Sequence, residues 1–133
     1  MQWNAVRSEA GVLRGVHVHP RHDDYLVVYE GRATVGLRDL RGGDPRPCCV
    51  ELDGAEPAAI TIPHGVAHGF YFHVPSVHIY AVSHYWDPAD ELGCHWADAE
   101  LGIPWPMADA VVSERDAALP SLAELHRRLP PAG

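Results

Sequence analysis

The sequence predicts an all-β domain, a sandwich or small barrel, on three observations. Short runs rich in β-branched and aromatic residues follow one another closely, turn residues punctuate them, and a helical pattern shows only in the tail. The chain has 133 residues, room for one domain with a real core and too few for two of ordinary size. No linker, repeat or low-complexity stretch divides it, so residues 1–133 are read as one domain.

The first informative segment, 11–31, reads strand, loop, strand. His17 and His19 stand two apart, and on a strand such residues share a face, so their imidazoles are presented side by side. Strict alternation sets Arg14 on the opposite face, and a bulge near Gly15 would turn it inward. Strands are predicted at 25–29 and 32–38 around Glu30-Gly31, then at 50–52 after a turn built on Arg41-Gly42-Gly43-Asp44-Pro45, and at 59–62. Two more, 70–74 and 77–86, flank Val74-Pro75-Ser76. In the last of these, alternation puts His78, Tyr80, Val82, His84 and Trp86 on one face, a polar-aromatic mixture odd for a dry core and reasonable for a barrel lumen. The helix is confined to the C-terminus. Ser121 with Glu124 three residues on makes a capping-box pattern ahead of Leu122, Leu125 and Leu129, and Pro130-Pro131 ends it.

Composition narrows the function classes. Hydrophobic residues make up 47%, no apolar run approaches the roughly 20 residues needed to span a bilayer, and no signal-peptide pattern opens the chain. A cytoplasmic location without a membrane partner is expected. Cys48, Cys49 and Cys94 are odd in number and lack CxxC spacing, so neither a disulfide framework nor a thiolate zinc site is expected. Eighteen acidic against ten basic residues give a charge of −8, and every basic residue is arginine. Nucleic acid is disfavoured as a partner, and a polyanionic substrate would need arginines that focus it locally.

Gly11, five residues, His17, one residue, His19, four residues, Asp24, six residues and Gly31 resemble the first motif of the cupin superfamily, with aspartate where glutamate is usual. Pro63-His64-Gly65-Val66-Ala67-His68 resembles the second. The resemblance implies a cupin jelly-roll sandwich or barrel, here with a short C-terminal helix. Three imidazoles and a carboxylate, His17, His19, Asp24 and His68, suit a divalent transition metal, and the set does not choose among zinc, iron, nickel, copper and manganese. The plain alternative is chance: ten histidines in 133 residues make some HxH pair unremarkable, and His22, Asp23 and Asp24 would be solvated loop residues.

"GVLRGVH" (11–17), "IPHGVAHGF" (62–70), "YAVSHYWDP" (80–88), "GCHWADAELGIPWP" (93–106) and "VSERDAALPSL" (112–122), in this order, resemble the dTDP-4-dehydrorhamnose 3,5-epimerase family of cupins over about residues 2–125. The resemblance implies a dimeric enzyme that needs no metal and no organic cofactor and acts on a small-molecule substrate. In it, His17 held by Asp116 would be the base, Tyr80 the proton donor, and Arg14 and His68 the substrate-binding and enolate-stabilising residues. Two departures stand against a plain match. Where the family carries a glutamine and an enolate-stabilising lysine, this chain has His19 and Asp24, and an anion there opposes a developing negative charge. A divalent ion would restore the positive charge as a Lewis acid. The chain also begins at about Gln2 of that alignment, so much of the family's nucleotide grip is expected to be missing, leaving a smaller ketone as substrate or Arg7, Arg14 and Arg21 as phosphate contacts.

The leading reading is therefore an epimerase or isomerase moving a proton next to a carbonyl, on a dTDP-4-keto-6-deoxy sugar or related ketone of secondary metabolism. His78, His84 and Trp86 join Arg14 and His68 as candidate substrate contacts. The alternatives are a metal-dependent cupin oxygenase or cyclase and a non-catalytic ligand-binding cupin. His17 cannot serve as free base and metal ligand at once, because both roles use the same kind of ring lone pair.

Overall fold

A computed structural model describes residues 1–42, 46–85, 87–88 and 91–131. Two antiparallel sheets face each other. One has four strands in the order β1 (Gln2–Ser8), β8 (Ser76–Val82), β3 (Asp24–Glu30) and β6 (Ala59–Ile62). The other has five: β5 (Cys48–Asp53), β4 (Arg32–Asp39), β7 (Val66–Phe72), β2 (Leu13–Val18) and β9 (Leu92–Gly93). Two short helices follow, α1 (Glu114–Ala117) and α2 (Leu122–Arg128). This is the jelly-roll sandwich expected, and no helix among the described residues is long and apolar enough to cross a membrane.

Alternation along the strands divides the apolar residues between two places. Leu26, Val28, Ala33, Val35, Ile62 and Phe72 fill the space between the sheets. Val16, Val18 and Ala67 point the other way and pack with Cys94, Leu101, Ile103, Leu122 and Leu125 of the C-terminal segment. Trp105 sits on this outer face above Gly36 and Gly69, which oppose each other in register. A Cβ on Gly36 would come within 2.5 Å of the Trp105 ring. The Trp105 indole N–H donates to the Trp96 carbonyl at 3.1 Å, and both tryptophans pack against the outer cluster.

Five elements differ from expectation, among them the two-residue β9, where no strand was expected. β1 was not anticipated, because its outward positions carry Trp3, Ala5 and Arg7 and its inward ones Gln2, Asn4 and Val6, the reverse of the usual alternation. β7 starts at Val66, before the expected 70; on its outer face Ala67 carries only a methyl and Gly69 no side chain, so the segment lacks the bulky β-rich pattern of a strand. β8 stops at Val82, short of 86. Helix α1 has four residues and shows no apolar stripe; the Ser113 hydroxyl, accepting from the Asp116 N–H at 3.1 Å, starts it. Helix α2 matches the pattern, with the Ser121 hydroxyl accepting from the Glu124 N–H. All three cysteines are free; burial first of all pushes the Cys94 thiol up to about 12, which suits an inert thiol.

Candidate active site

A cavity of about 310 Å³ opens between the sheets. The five-stranded sheet contributes Arg14, His17, His68 and Phe70, the four-stranded sheet Asp24, Leu26, His78 and Tyr80, and α1 contributes Asp116. The expected bulge is present. Arg14 opposes Phe70 and Gly15 opposes Gly69, but His17 already opposes His68, so the register slips between Gly15 and His17. Gly15 adopts φ +112°, and a Cβ there would meet the His68 carbonyl oxygen at 2.8 Å, so the slip needs glycine. It turns Arg14 and His17, three residues apart, toward one cavity.

His17 is tied down from outside its own strand. Its Nε2 lies 2.8 Å from Asp116 Oδ1, and Asp116 Oδ2 accepts the Gly15 N–H at 3.0 Å. Burial works to raise the Asp116 pKa, but the hydrogen bonds from His17 and Gly15 outweigh it and hold the carboxyl below its ordinary value. An ionised Asp116 accepts a hydrogen bond from Nε2–H, which fixes the tautomer and leaves the lone pair on Nδ1. Among the described residues no hydrogen-bond partner of that Nδ1 is found.

Tyr80 faces the same cavity from the opposite wall, paired in register with Asn4 and Leu26. Burial, then the charges of Asp24 and Glu91, raise its pKa, and Arg14 partly offsets them. The phenol is therefore protonated at neutral pH and ready to donate. Arg14 is held by a bond from its Nε to the Ser8 hydroxyl at 2.9 Å.

A second polar group lies deeper. Asp24 is buried, with Oδ2 at 2.9 Å from His68 Nε2 and 3.3 Å from His19 Nε2, and Oδ1 at 3.7 Å from His22 Nε2. His22 stacks on His19 with ring centroids 4.0 Å apart. Burial opposes ionisation of Asp24, but the hydrogen bond and charge of His68 and the charges of His19 and His22 prevail and lower its pKa. His68 Nδ1 lies 3.0 Å from the Val66 carbonyl, which can only accept, so Nδ1 carries a proton. Its Nε2 then faces a carboxylate either with a second proton or with a lone pair that calls for a cation between them. His19, Asp24 and His68 offer ligand atoms within 4.8 Å of one another. In a tetrahedral site with bonds of about 2.0–2.1 Å, donor atoms stand about 3.3 Å apart. The trio fits a divalent ion; His17, whose Nε2 belongs to Asp116, stands outside it.

Of the residues singled out in the sequence, Arg14, His17, His19, Asp24, His68, His78, Tyr80 and Asp116 all line the cavity. His84 does not. β8 ends before it, so alternation no longer governs its direction; it is exposed, with Nδ1 2.9 Å from the Ser83 hydroxyl. Trp86 lies outside the described residues. Arg7 and Arg21 are exposed and do not line the cavity themselves, although Arg21 pairs at 3.2 Å with Asp87, which does. Sequence reasoning missed His22, Gln2, Asn4, Glu91 and Arg115. His22 had a signal: it is two before Asp24 and four before Leu26, in phase with the buried face of β3.

The family model for dTDP-4-dehydrorhamnose 3,5-epimerase matches residues 1–124. The chain belongs to this family. Over 130 residues it is 35% identical to a dTDP-4-dehydrorhamnose 3-epimerase of Streptomyces niveus, covering 92% of this chain and 63% of that one. To the dTDP-4-dehydrorhamnose 3,5-epimerase of Pseudomonas aeruginosa it is 36% identical over 126 residues, covering 87% and 68%. The chain thus spans about two thirds of the length of these relatives. Among solved structures, a 4-keto-6-deoxy sugar epimerase from the novobiocin biosynthetic gene cluster of Streptomyces spheroides superposes with a TM-score of 0.89 at 32% identity, covering 98% of this chain and 70% of that one. A 3'-monoepimerase from Streptomyces bikiniensis in complex with dTDP-quinovose gives 0.86 at 30% identity, covering 95% and 68%. These epimerases share the jelly roll described above, so the family gives the fold as well as the motifs.

Proposed function

We propose that this chain epimerises a dTDP-linked 4-keto-6-deoxy sugar by moving a proton at a ring carbon beside the ketone. One observation carries the reading: an aspartate-held histidine and a protonated tyrosine face one cavity from opposite sheets. A proton taken from one face and returned to the other inverts the carbon between them. His17 Nδ1 removes the proton, and Asp116 stabilises the imidazolium that results. Negative charge grows on the ketone oxygen, for which Arg14 is the available donor, since Val66 and Asp24 engage both ring nitrogens of His68. Tyr80 then delivers a proton from the far wall. The proposed reaction draws on no organic cofactor. Relatedness to an epimerase of the novobiocin cluster supports a place in secondary metabolism, and three free thiols suit a reducing compartment such as the cytoplasm. Incubation of the protein with dTDP-4-keto-6-deoxyglucose in deuterium oxide tests the reading: deuterium enters the carbon beside the ketone, and no incorporation into this or another dTDP-ketosugar would refute it.

His19, Asp24 and His68 favour a second reading, a metal-dependent cupin enzyme such as an oxygenase or cyclase, or a metal-assisted form of the first. Their donor set suits a divalent transition metal, which when bound supplies Lewis-acid polarisation of a carbonyl. Elemental analysis of protein purified without chelator, beside a His19→Ala variant, decides it. One equivalent of metal lost in the variant supports the site, and none in the parent removes it.

We further propose a homodimer formed through β1, an edge strand with Trp3, Ala5 and Arg7 on its outer face.

A further inference from the structure

His78 lines the same cavity and the proton-transfer scheme leaves it unused. It stands on central strand β8, opposite Val6 on one side and Val28 on the other, and is 2% exposed. Its ring stacks with Phe72, centroids 5.1 Å apart, and with Tyr80 at 5.8 Å, while Phe70 lies tilted at 5.9 Å. Among the described residues nothing hydrogen-bonds the ring, and Nδ1 is buried without a partner. A buried polar atom left so is destabilising and calls for an explanation in a folded protein. Packing alone would be better served by phenylalanine, which offers the same stack without the orphaned nitrogens.

We infer that His78 is a specificity-determining residue that hydrogen-bonds one of the two ring hydroxyls, at C2 and C3, that a 4-keto-6-deoxyhexose keeps. The inference rests on the epimerase reading and sharpens it. Position gives the first argument: His78 shares a strand face with Tyr80 two residues on, so whatever brings its reacting carbon to the Tyr80 hydroxyl brings its ring, not its nucleotide, toward His78. Chemistry gives the second. Burial, then the charge of Arg14, lowers the His78 pKa to about 4, so the ring is neutral at physiological pH. A neutral imidazole offers one donor and one acceptor, the complement of an uncharged hydroxyl rather than of a phosphate or carboxylate.

Binding of an unreactive 4-hydroxy analogue, dTDP-6-deoxyglucose, and of its 2-deoxy and 3-deoxy forms, measured calorimetrically, tests this without chemistry. The wild-type protein is expected to bind one of the deoxy forms about tenfold or more weakly than the parent, because its loss strands the buried imidazole. A His78→Phe variant binds the parent weakly and the same deoxy form no worse than the wild type does, with a melting temperature equal to or above that of the wild type. Equal binding of all three sugars by the wild-type protein overturns the assignment, and so does undiminished binding of the parent by the variant. The discrimination by the unmodified protein stands as evidence even if the variant fails to fold. Should the sugars be discriminated as expected while no deuterium exchange occurs with the ketosugar, the proton-transfer reading falls and the recognition role of His78 remains.

Discussion

Asp116 is the residue on which the proposed base depends, since among the described residues it alone hydrogen-bonds the His17 imidazole. An Asp116→Asn variant loses the charge that favours the Nε2–H tautomer and the imidazolium, so kcat is expected to fall at least a hundredfold with a smaller change in KM, as for a group that acts in proton transfer. Equal kcat in the variant would show that His17 does not work through Asp116. The pair also couples to stability. Asp116 has a lowered pKa, so its contribution is complete above the ordinary carboxyl value of 3.8 and is lost as pH falls through its folded value. His78 works in another window: its pKa falls from 6.5 to about 4, so between these values the unfolded chain holds the extra proton and stability drops as pH falls. Chemical denaturation of wild type and His78→Phe from pH 7 to 4 should show a flatter decline in the variant. Parallel curves would contradict the buried, neutral ring.

That His17, Asp116 and Tyr80 meet at one cavity was legible because long motifs located them, although Asp116 is 99 positions from its partner. His22 was not, because a polar residue in a His-Asp-Asp run reads as solvated until the strand that follows sets its phase.

Among the elements, the outer face of the five-stranded sheet shows what the site rests on. Gly36 and Gly69 leave room for Trp105, and Trp105 closes the cluster that holds Val16 and Val18 on either side of His17. Gly36→Ala forces the indole or the strand to move, and such overpacking costs typically about 1–3 kcal/mol. Urea unfolding should show a lower midpoint at unchanged slope; an unaltered midpoint would mean that Trp105 shifts freely. Strands 25–29, 32–38 and 59–62 were readable from β-branched runs and turns. β1 and α1 were not, for opposite reasons: β1 hides its polar residues and exposes Trp3, and α1 is a single turn whose only signals are the Ser113 cap and Asp116. Both nevertheless reach the cavity, α1 through Asp116 and β1 through Gln2, Asn4 and Val6.

In the whole molecule one cavity joins two polar centres, His17 with Asp116 and His68 with Asp24, His19 and His22. The sequence shows them as conflicting instructions, a metal-free epimerase written into "GVLRGVH" and a metal site into "HVHPRHDD". In space the conflict lessens, because His17 is committed to Asp116 and the trio closes without it. Composition could not reveal this division, since it depends on which ring nitrogen each neighbour occupies. The proposed dimer belongs to this scale. Trp3 is 66% exposed on edge strand β1, so sedimentation of wild type should give twice the chain mass, and a Trp3→Asp variant the chain mass alone. A monomeric wild type would contradict it.

In the proposed reaction His17 removes a proton beside a ketone and Tyr80 returns one from the opposite wall. Deuterium wash-in to dTDP-4-keto-6-deoxyglucose, followed by NMR for wild type, His17→Asn and Tyr80→Phe, tests it most directly. Wild type should label and invert the carbon beside the ketone, His17→Asn should do neither, and Tyr80→Phe should lose inversion. Labelling by His17→Asn at the wild-type rate, or none by the wild type, would contradict the account.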